Sequence, residues 1–216
     1  MAFRCVTLQE KYLSNIFNMP RLQPAENLCS NLFQIPALET FNNNLTSRGK
    51  DLTRVGCDTL QINVGLLCNQ SCKHCHLDAG PLRSEIMSEK TVDEVIGLAG
   101  RFSFKSIDIT GGAPEMNPHI LKLIAELAPL TDKLILRSNL TAIAAGDKMT
   151  LLQLLADNKV TVTASLPSLN EAQAEAQRGE SSFTTSINTL KKLNELGYGR
   201  PGSDLELNLV SNPTGA

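Results

Sequence analysis

From about residue 59 the chain alternates two kinds of patterning: short stretches in which apolar and polar residues change places every second position, and longer ones in which apolar residues return at helical spacing. The short stretches predict strands over 59–67, 105–110, 133–138, 160–166 and 205–210. Between them, Ser88 can cap a helix carrying Val92, Val95, Ile96 and Ala99, with Gly100 at its end. Asn117 and Pro118 read as the start of a second helix, with Ile120, Leu121, Ile124 and Leu127 as its buried stripe and Pro129 as its stop. A third helix is expected over about 147–157 on Leu151, Leu154 and Leu155. A fourth starts near Ser181, buries Phe183, Ile187 and Leu190, and ends at Gly197. Strands alternating with helices are the signature of βα units around a parallel sheet, which places the chain in the α/β class.

Parallel strands covered on both faces read as unbroken apolar runs, and these do not. Gln61 and Asn63, Asp108 and Thr110, Thr163 and Ser165 fall at period two, opposite Ile62, Ile107, Ile109 and Val162. One face of the sheet is therefore expected to pack on helices while the other lines a polar, wet cleft, as in an open or partial barrel. The plainer alternative is a sheet with one face in bulk solvent. Residues 1–56 lack such periodicity; Pro20, Pro24, Pro36 and the polar stretch FNNNLTSRGKD make them an irregular leader ending near a short helix, ahead of a core over 57–216.

Composition narrows the function classes. Of 216 residues, 42% are hydrophobic, enough for one substantial core. Twenty Lys plus Arg against 22 Asp plus Glu leave a net charge of −2, so no basic excess exists to neutralise nucleic acid. No apolar run reaches the roughly 18 residues of a membrane span, and the first residues lack a secretory signal. The expectation is a cytoplasmic protein with no membrane and no nucleic-acid partner, organellar targeting remaining open. Six cysteines in such a chain are expected to stay thiols.

Three of the six carry the strongest signal. Cys68, Cys72 and Cys75 lie in CNQSCKHC, directly after the first expected strand, and a loop of that length can turn three sulfurs toward one point. Three thiolates on a four-iron cubane leave one iron open to a small molecule. The alternative is a structural zinc site completed by His74 or His76, although no second Cys or His knuckle follows. Cys5, Cys29 and Cys57 are scattered and read as idle thiols, and His119 as a surface residue at a helix start.

At this spacing the sequence resembles the radical S-adenosylmethionine (SAM) superfamily, in which the three-cysteine motif follows the first strand of a partial (βα)6, TIM-like barrel; about five of its strands are present here. The resemblance implies a [4Fe-4S] cluster on Cys68, Cys72 and Cys75, S-adenosyl-L-methionine as the second cofactor, and a reductant such as flavodoxin or ferredoxin as partner. By position it puts His74 near the adenine and the backbone of Gly111, Gly112 and Ala113 beside the methionine part of SAM. Glu115, two places later than the acidic residue of the family pattern, would face the SAM amine. Asn139 in Arg137-Ser138-Asn139 would lie near the ribose, Ser165 at another strand end, and Arg178 at the SAM carboxylate. His76, Asp78, Arg83 and Glu85 either touch substrate or order the loop after the cysteines, the latter being the favoured role.

LQINVGLLCNQSCKHCHLDAGP, DITGGAPEMNP, LRSNLT and NLVSNPTGA are more closely similar to the arsenosugar-biosynthesis radical SAM proteins, over about residues 55–216. That likeness implies addition of a 5′-deoxyadenosyl group to a methylated trivalent arsenical. It also makes the chain look truncated after its fifth strand, with Leu205, Leu207 and Leu209 backing an open edge, and so poorly soluble or self-associated alone. Two other readings compete: a non-catalytic module that holds zinc, and an inactive remnant that keeps the fold.

Overall fold

The computed structural model describes residues 5–8, 41–52, 56–144 and 149–211. Two compact units divide the chain, one formed by residues 11–57 and the other by residues 1–10 together with 58–216. The described residues of the first include helix α1, Phe41–Ser47, which buries none of its residues. It supplies the short helix expected near the end of the leader.

The second unit is built on a six-stranded parallel sheet in the order β1 (Cys5–Leu8), β2 (Thr59–Asn63), β3 (Phe104–Thr110), β4 (Thr131–Ser138), β5 (Thr161–Ser165) and β6 (Leu207–Val210). Each strand pairs with its sequence neighbour, Gln61 beside Asp108 and Arg137 beside Thr163. All five expected strands are present. The sixth, β1, comes from the stretch expected to be irregular, and pairs Cys5–Leu8 with Thr59–Ile62. Among the described residues β1 and β6 do not meet, so the sheet stays open and the barrel is partial.

The connections are α2 (Glu89–Arg101), α3 (Ile120–Leu127), α4 (Thr141–Ala144), α5 (Met149–Asp157), α6 (Glu171–Arg178) and α7 (Ser182–Glu195). Ser88 caps α2 as expected, its hydroxyl accepting from Thr91 N at 3.3 Å, and the helix runs through Gly100 to Arg101. Asn117 accepts from His119 N at 2.8 Å, so the turn it caps precedes a helix that starts at Ile120. Pro129 sits in a 3-10 turn, Ala128–Leu130, that follows α3.

Helix α7 is rotated relative to expectation. Its buried residues are Ser182, Ser186, Thr189 and Leu193, whereas Phe183, Ile187 and Leu190 are half-buried. Small hydroxylated residues let the helix sit close to its neighbours, and their hydroxyls are bonded: Ser186 to Ser182 O at 2.7 Å and Thr189 to Leu140 O at 3.0 Å.

The two faces of the sheet differ as the alternation requires. Ile62, Ile107, Ile109, Leu136 and Val162 are fully buried; each contributes about 1.5–3 kcal/mol relative to exposure. The opposite face carries a hydrogen-bonded polar array. Gln61 Nε2 donates to Asp108 Oδ2 at 3.1 Å, and Arg137 donates to the same carboxylate from Nε at 2.9 Å and Nη2 at 2.7 Å. Further along, Lys133 Nζ reaches Glu206 at 2.6 Å across β5.

Candidate functional site

The first cysteine follows an early break in β2. The apolar run was expected to continue as strand to residue 67, but the ladder stops at Asn63. Gly65 has φ 129, a backbone state that leaves the sheet, and residues 65 and 67 bridge to Ile86 and Gly80 instead. Leu66 N donates to Glu85 O at 2.8 Å and Cys68 N to Gly80 O at 3.2 Å. The loop of residues 66–87 is thus folded back on itself.

The turn after β3 clamps this loop from the other side. Gly112 N donates to Gly65 O and Ala113 N to Leu67 O, both at 2.9 Å. A Cβ on Gly112 would stand 2.5 Å from Leu67 O. The close approach that demands glycine is therefore to the cysteine loop's backbone. A third tie comes from α6, whose Gln177 O accepts from Lys73 N at 3.1 Å.

A cleft of about 310 Å³ opens at the carboxyl ends of the strands, where α/β sheets build their sites. Its walls include all three expected ligands, Cys68, Cys72 and Cys75. Of the residues expected to bind SAM, His74, Gly111, Gly112, Asn139, Ser165 and Arg178 also line it. Ala113 and Glu115 do not: both are buried, Glu115 in the 3-10 turn Pro114–Met116. His76 faces the cleft, as do Arg137 and Thr163 from the polar face of the sheet.

Cys68 is buried on an apolar floor with Ala79, Ala113 and Ala142. Burial pushes its thiol upward, and the hydrogen bond from Asn139 opposes that. Burial raises Cys72 as well, while the charge of Arg178 pulls it down. Cys75 Sγ accepts from Ala79 N at 3.3 Å. Among the described residues no three His, Cys, Asp or Glu side chains gather tightly enough to hold a single metal ion. All three thiols open on one cleft, and three cysteines on one loop are a donor set that suits an iron-sulfur cluster.

Arg178, the last residue of α6, reaches back over the cleft. Its Nη1 donates to Ser165 O at 2.6 Å and Asn139 O at 3.4 Å, and its Nη2 to Ser165 Oγ. Burial lowers its pKa, yet an arginine keeps its charge in proteins. The cleft therefore holds a fixed cation beside Cys72.

Asp78, Arg83 and Glu85 lie outside the cleft lining and pair with one another. Arg83 Nη2 meets Glu85 Oε1 at 2.7 Å, and Arg83 Nη1 meets Asp78 O at 2.8 Å and Asp78 Oδ2 at 3.2 Å. The bond from Arg83 holds the Glu85 carboxyl at about 2, well below its usual value. These three order the loop. Cys57 is half-buried and outside the cleft, His119 is half-buried at the start of α3, and Cys29 falls outside the described residues.

An open parallel sheet with helices on one face, and with three thiols and a cation at its strand ends, defines an α/β partial-barrel protein with a cofactor-sized cleft. The chain belongs to the radical SAM superfamily, whose family model matches residues 62–209. That family consists of enzymes, and membership implies an iron-sulfur cluster and SAM. A probable GTP 3′,8-cyclase of Pyrococcus horikoshii is 30% identical over 80 residues, 37% of this chain and 26% of that relative. One from Thermoplasma volcanium is 23% identical over 69 residues, 32% of this chain and 21% of the relative. The matches thus span about a quarter of the length of these curated relatives.

Solved structures share the fold. Streptococcus suis SuiB bound to its precursor peptide SuiA superposes with a TM-score of 0.59 at 20% identity, covering 77% of this chain and 35% of SuiB. The structure of anSMEcpe with bound AdoMet gives 0.55 at 17% identity, covering 71% of this chain and 43% of that one. The arsenosugar-type likeness is not supported by the curated relatives, which are named as probable GTP 3′,8-cyclases. No helix among the described residues is long and apolar enough to cross a membrane.

Proposed function

We propose that Cys68, Cys72 and Cys75 hold a [4Fe-4S] cluster and that the chain cleaves SAM reductively in the adjoining cleft. The observation that carries this reading is the convergence of three thiols with Gly111, Gly112, Ser165 and Arg178 on one cavity at the carboxyl ends of β2 to β5. When bound, the cluster supplies one electron to the SAM sulfonium, whose cleavage yields a 5′-deoxyadenosyl radical.

The protein's own work is placement. The Cys loop is pinned by Gly65, Gly80, Gln177 and the glycine turn, so its sulfurs face the cleft before any cofactor arrives. Arg178 offers fixed positive charge to a carboxylate, and His74 a ring at the cleft's exposed lip. Gly111 and Gly112 present backbone without side chains, and Ser165 supplies a polar group at a strand end. Ala113 packs with Cys68 beneath the cleft, and Glu115 is buried outside its lining. Arg137 and Thr163 extend the polar wall toward the sheet, where a small substrate can be held near the radical. A reductant such as flavodoxin or ferredoxin would supply the electron.

The finer reading is transfer of the 5′-deoxyadenosyl group to a methylated trivalent arsenical, and it is supported by the sequence likeness alone. The full-length relatives' names make a guanine nucleotide the comparison substrate. The test is anaerobic incubation of the iron-loaded chain with SAM and dithionite, with each candidate substrate added in turn. Release of 5′-deoxyadenosine that is lost in Cys72→Ala supports SAM cleavage. An adenosylated arsenical as product supports the finer reading, and turnover with GTP alone replaces it. A zinc-loaded protein indifferent to SAM defeats both.

A further inference from the structure

Asn139 was expected at the ribose, but its side chain is committed elsewhere. Its Nδ2 donates to Cys68 Sγ at 3.4 Å and to Asn69 Oδ1 at 2.9 Å. Its Oδ1 accepts from Thr141 Oγ1 at 3.1 Å and from Ala142 N at 3.0 Å. Asn69 closes the ring by donating to Thr141 Oγ1 at 2.9 Å. Both ends of the amide are therefore fixed, and the orientation that aims N–H at sulfur is imposed by the backbone N–H of Ala142, which can only donate. Asn69 is the residue immediately after Cys68, so the same amide holds the ligand and its neighbour.

We propose that Asn139 is a positioning residue for the cluster, donating a hydrogen bond to the Cys68 sulfur that raises the cluster's reduction potential and fixes that sulfur for assembly. Reduction adds negative charge to the cluster, and a donor aimed at a ligand sulfur stabilises the more negative state. The bond forms at a buried position on an apolar floor, where water competes poorly for the sulfur. The inference rests on the cluster reading above and adds a role that does not require Asn139 to touch SAM.

Thr141→Val weakens the donor's orientation without adding charge, whereas Asn139→Asp removes the donor outright. It keeps the oxygen that accepts from Ala142 N, and with it the start of α4, but removes the N–H and places a carboxylate near the sulfur. The experiment is a redox titration of the anaerobically reconstituted chain without SAM, followed by electron paramagnetic resonance, with dithionite as reductant. The expected result is a cluster at least about tenfold harder to reduce, equivalent to about 59 mV for one electron. A potential equal to that of the unaltered protein overturns the proposal.

Thr141→Val keeps the test decisive should the aspartate variant take up no iron. It leaves Asn139 in place, removes one of the two groups that orient its oxygen, and should lower the potential by a smaller amount. An unchanged potential in that variant likewise overturns the proposal. Failure of the unaltered chain to form a cluster strikes the cluster reading itself, and so separates the two claims.

Discussion

Replacing Gly112 by alanine puts the clamp between the glycine turn and the cysteine loop under direct load. The added Cβ would stand 2.5 Å from Leu67 O, with Leu66 O and Leu67 C both at 2.9 Å. All three are backbone atoms, so no side chain can swing aside. Relief requires the turn and the loop to separate, stretching Gly112 N to Gly65 O and Ala113 N to Leu67 O, each 2.9 Å. Two net hydrogen bonds at about 0.5–1.5 kcal/mol each, together with overpacking strain of about 1–3 kcal/mol, overlap to give a loss of roughly 2–4 kcal/mol. For a domain of this size that lowers Tm by roughly 5–15 °C. Gly97→Ala is the matched control: it lies inside α2 with nothing within 4 Å of its added Cβ, and should gain about 0.5–1 kcal/mol. Thermal unfolding followed by circular dichroism reads both variants, and iron uptake after anaerobic reconstitution reads the loop. A Gly112→Ala protein that melts with the unaltered chain and takes up as much iron would refute the clamp.

Further outcomes follow from the same geometry. Arg137→Ala leaves Asp108, whose side chain is 7% exposed, without its cationic partner, and should cost about 1–3 kcal/mol in urea unfolding, discounted because Arg137 is half exposed; Arg137→Ala with Asp108→Asn should recover part of it. Tyr198→Phe deletes a buried hydroxyl that donates to Val160 O at 2.9 Å, for a loss of about 1 kcal/mol with cluster binding unchanged. Glu85 is held at about 2 in the folded chain against 4.5 otherwise. Its contribution is therefore full above pH 4.5 and fades as pH falls toward 2. Glu85→Gln should lower Tm relative to the unaltered chain at about pH 6 and by less at about pH 3, whereas a gap that widens on acidification would reverse the assignment.

The sequence was most informative where period and chemistry coincided. The apolar and polar faces of β2 to β5 were legible because alternation survives folding, and the three cysteines were legible because their spacing is local. The break at Asn63 was not: Val64, Leu66 and Leu67 continue an apolar run, and only the positive φ of Gly65 takes them out of the ladder. Strand β1 was missed because four residues in a proline-marked stretch carry too little period to separate strand from coil.

Helix α6 was missed because EAQAEAQR buries only Ala174 and the polar Gln177, which leaves no apolar stripe to read. Its punctuation was present all the same: Asn170 caps it by accepting from Gln173 N at 3.1 Å, Glu171 opens it, and Gly179 with φ 101 ends it. Recognising it would have placed Arg178 at a helix end rather than in a loop. The link from Asn139 to Cys68 spans 71 positions and depends on the amide's orientation, which no local pattern encodes.

The most direct test of the central claim is iron and sulfide analysis with low-temperature electron paramagnetic resonance of the reduced, anaerobically reconstituted chain, before and after SAM is added. The account requires one four-iron cluster per chain whose signal changes on SAM addition and disappears in Cys68→Ala. A chain that binds no iron, or a cluster whose spectrum is indifferent to SAM, would contradict it.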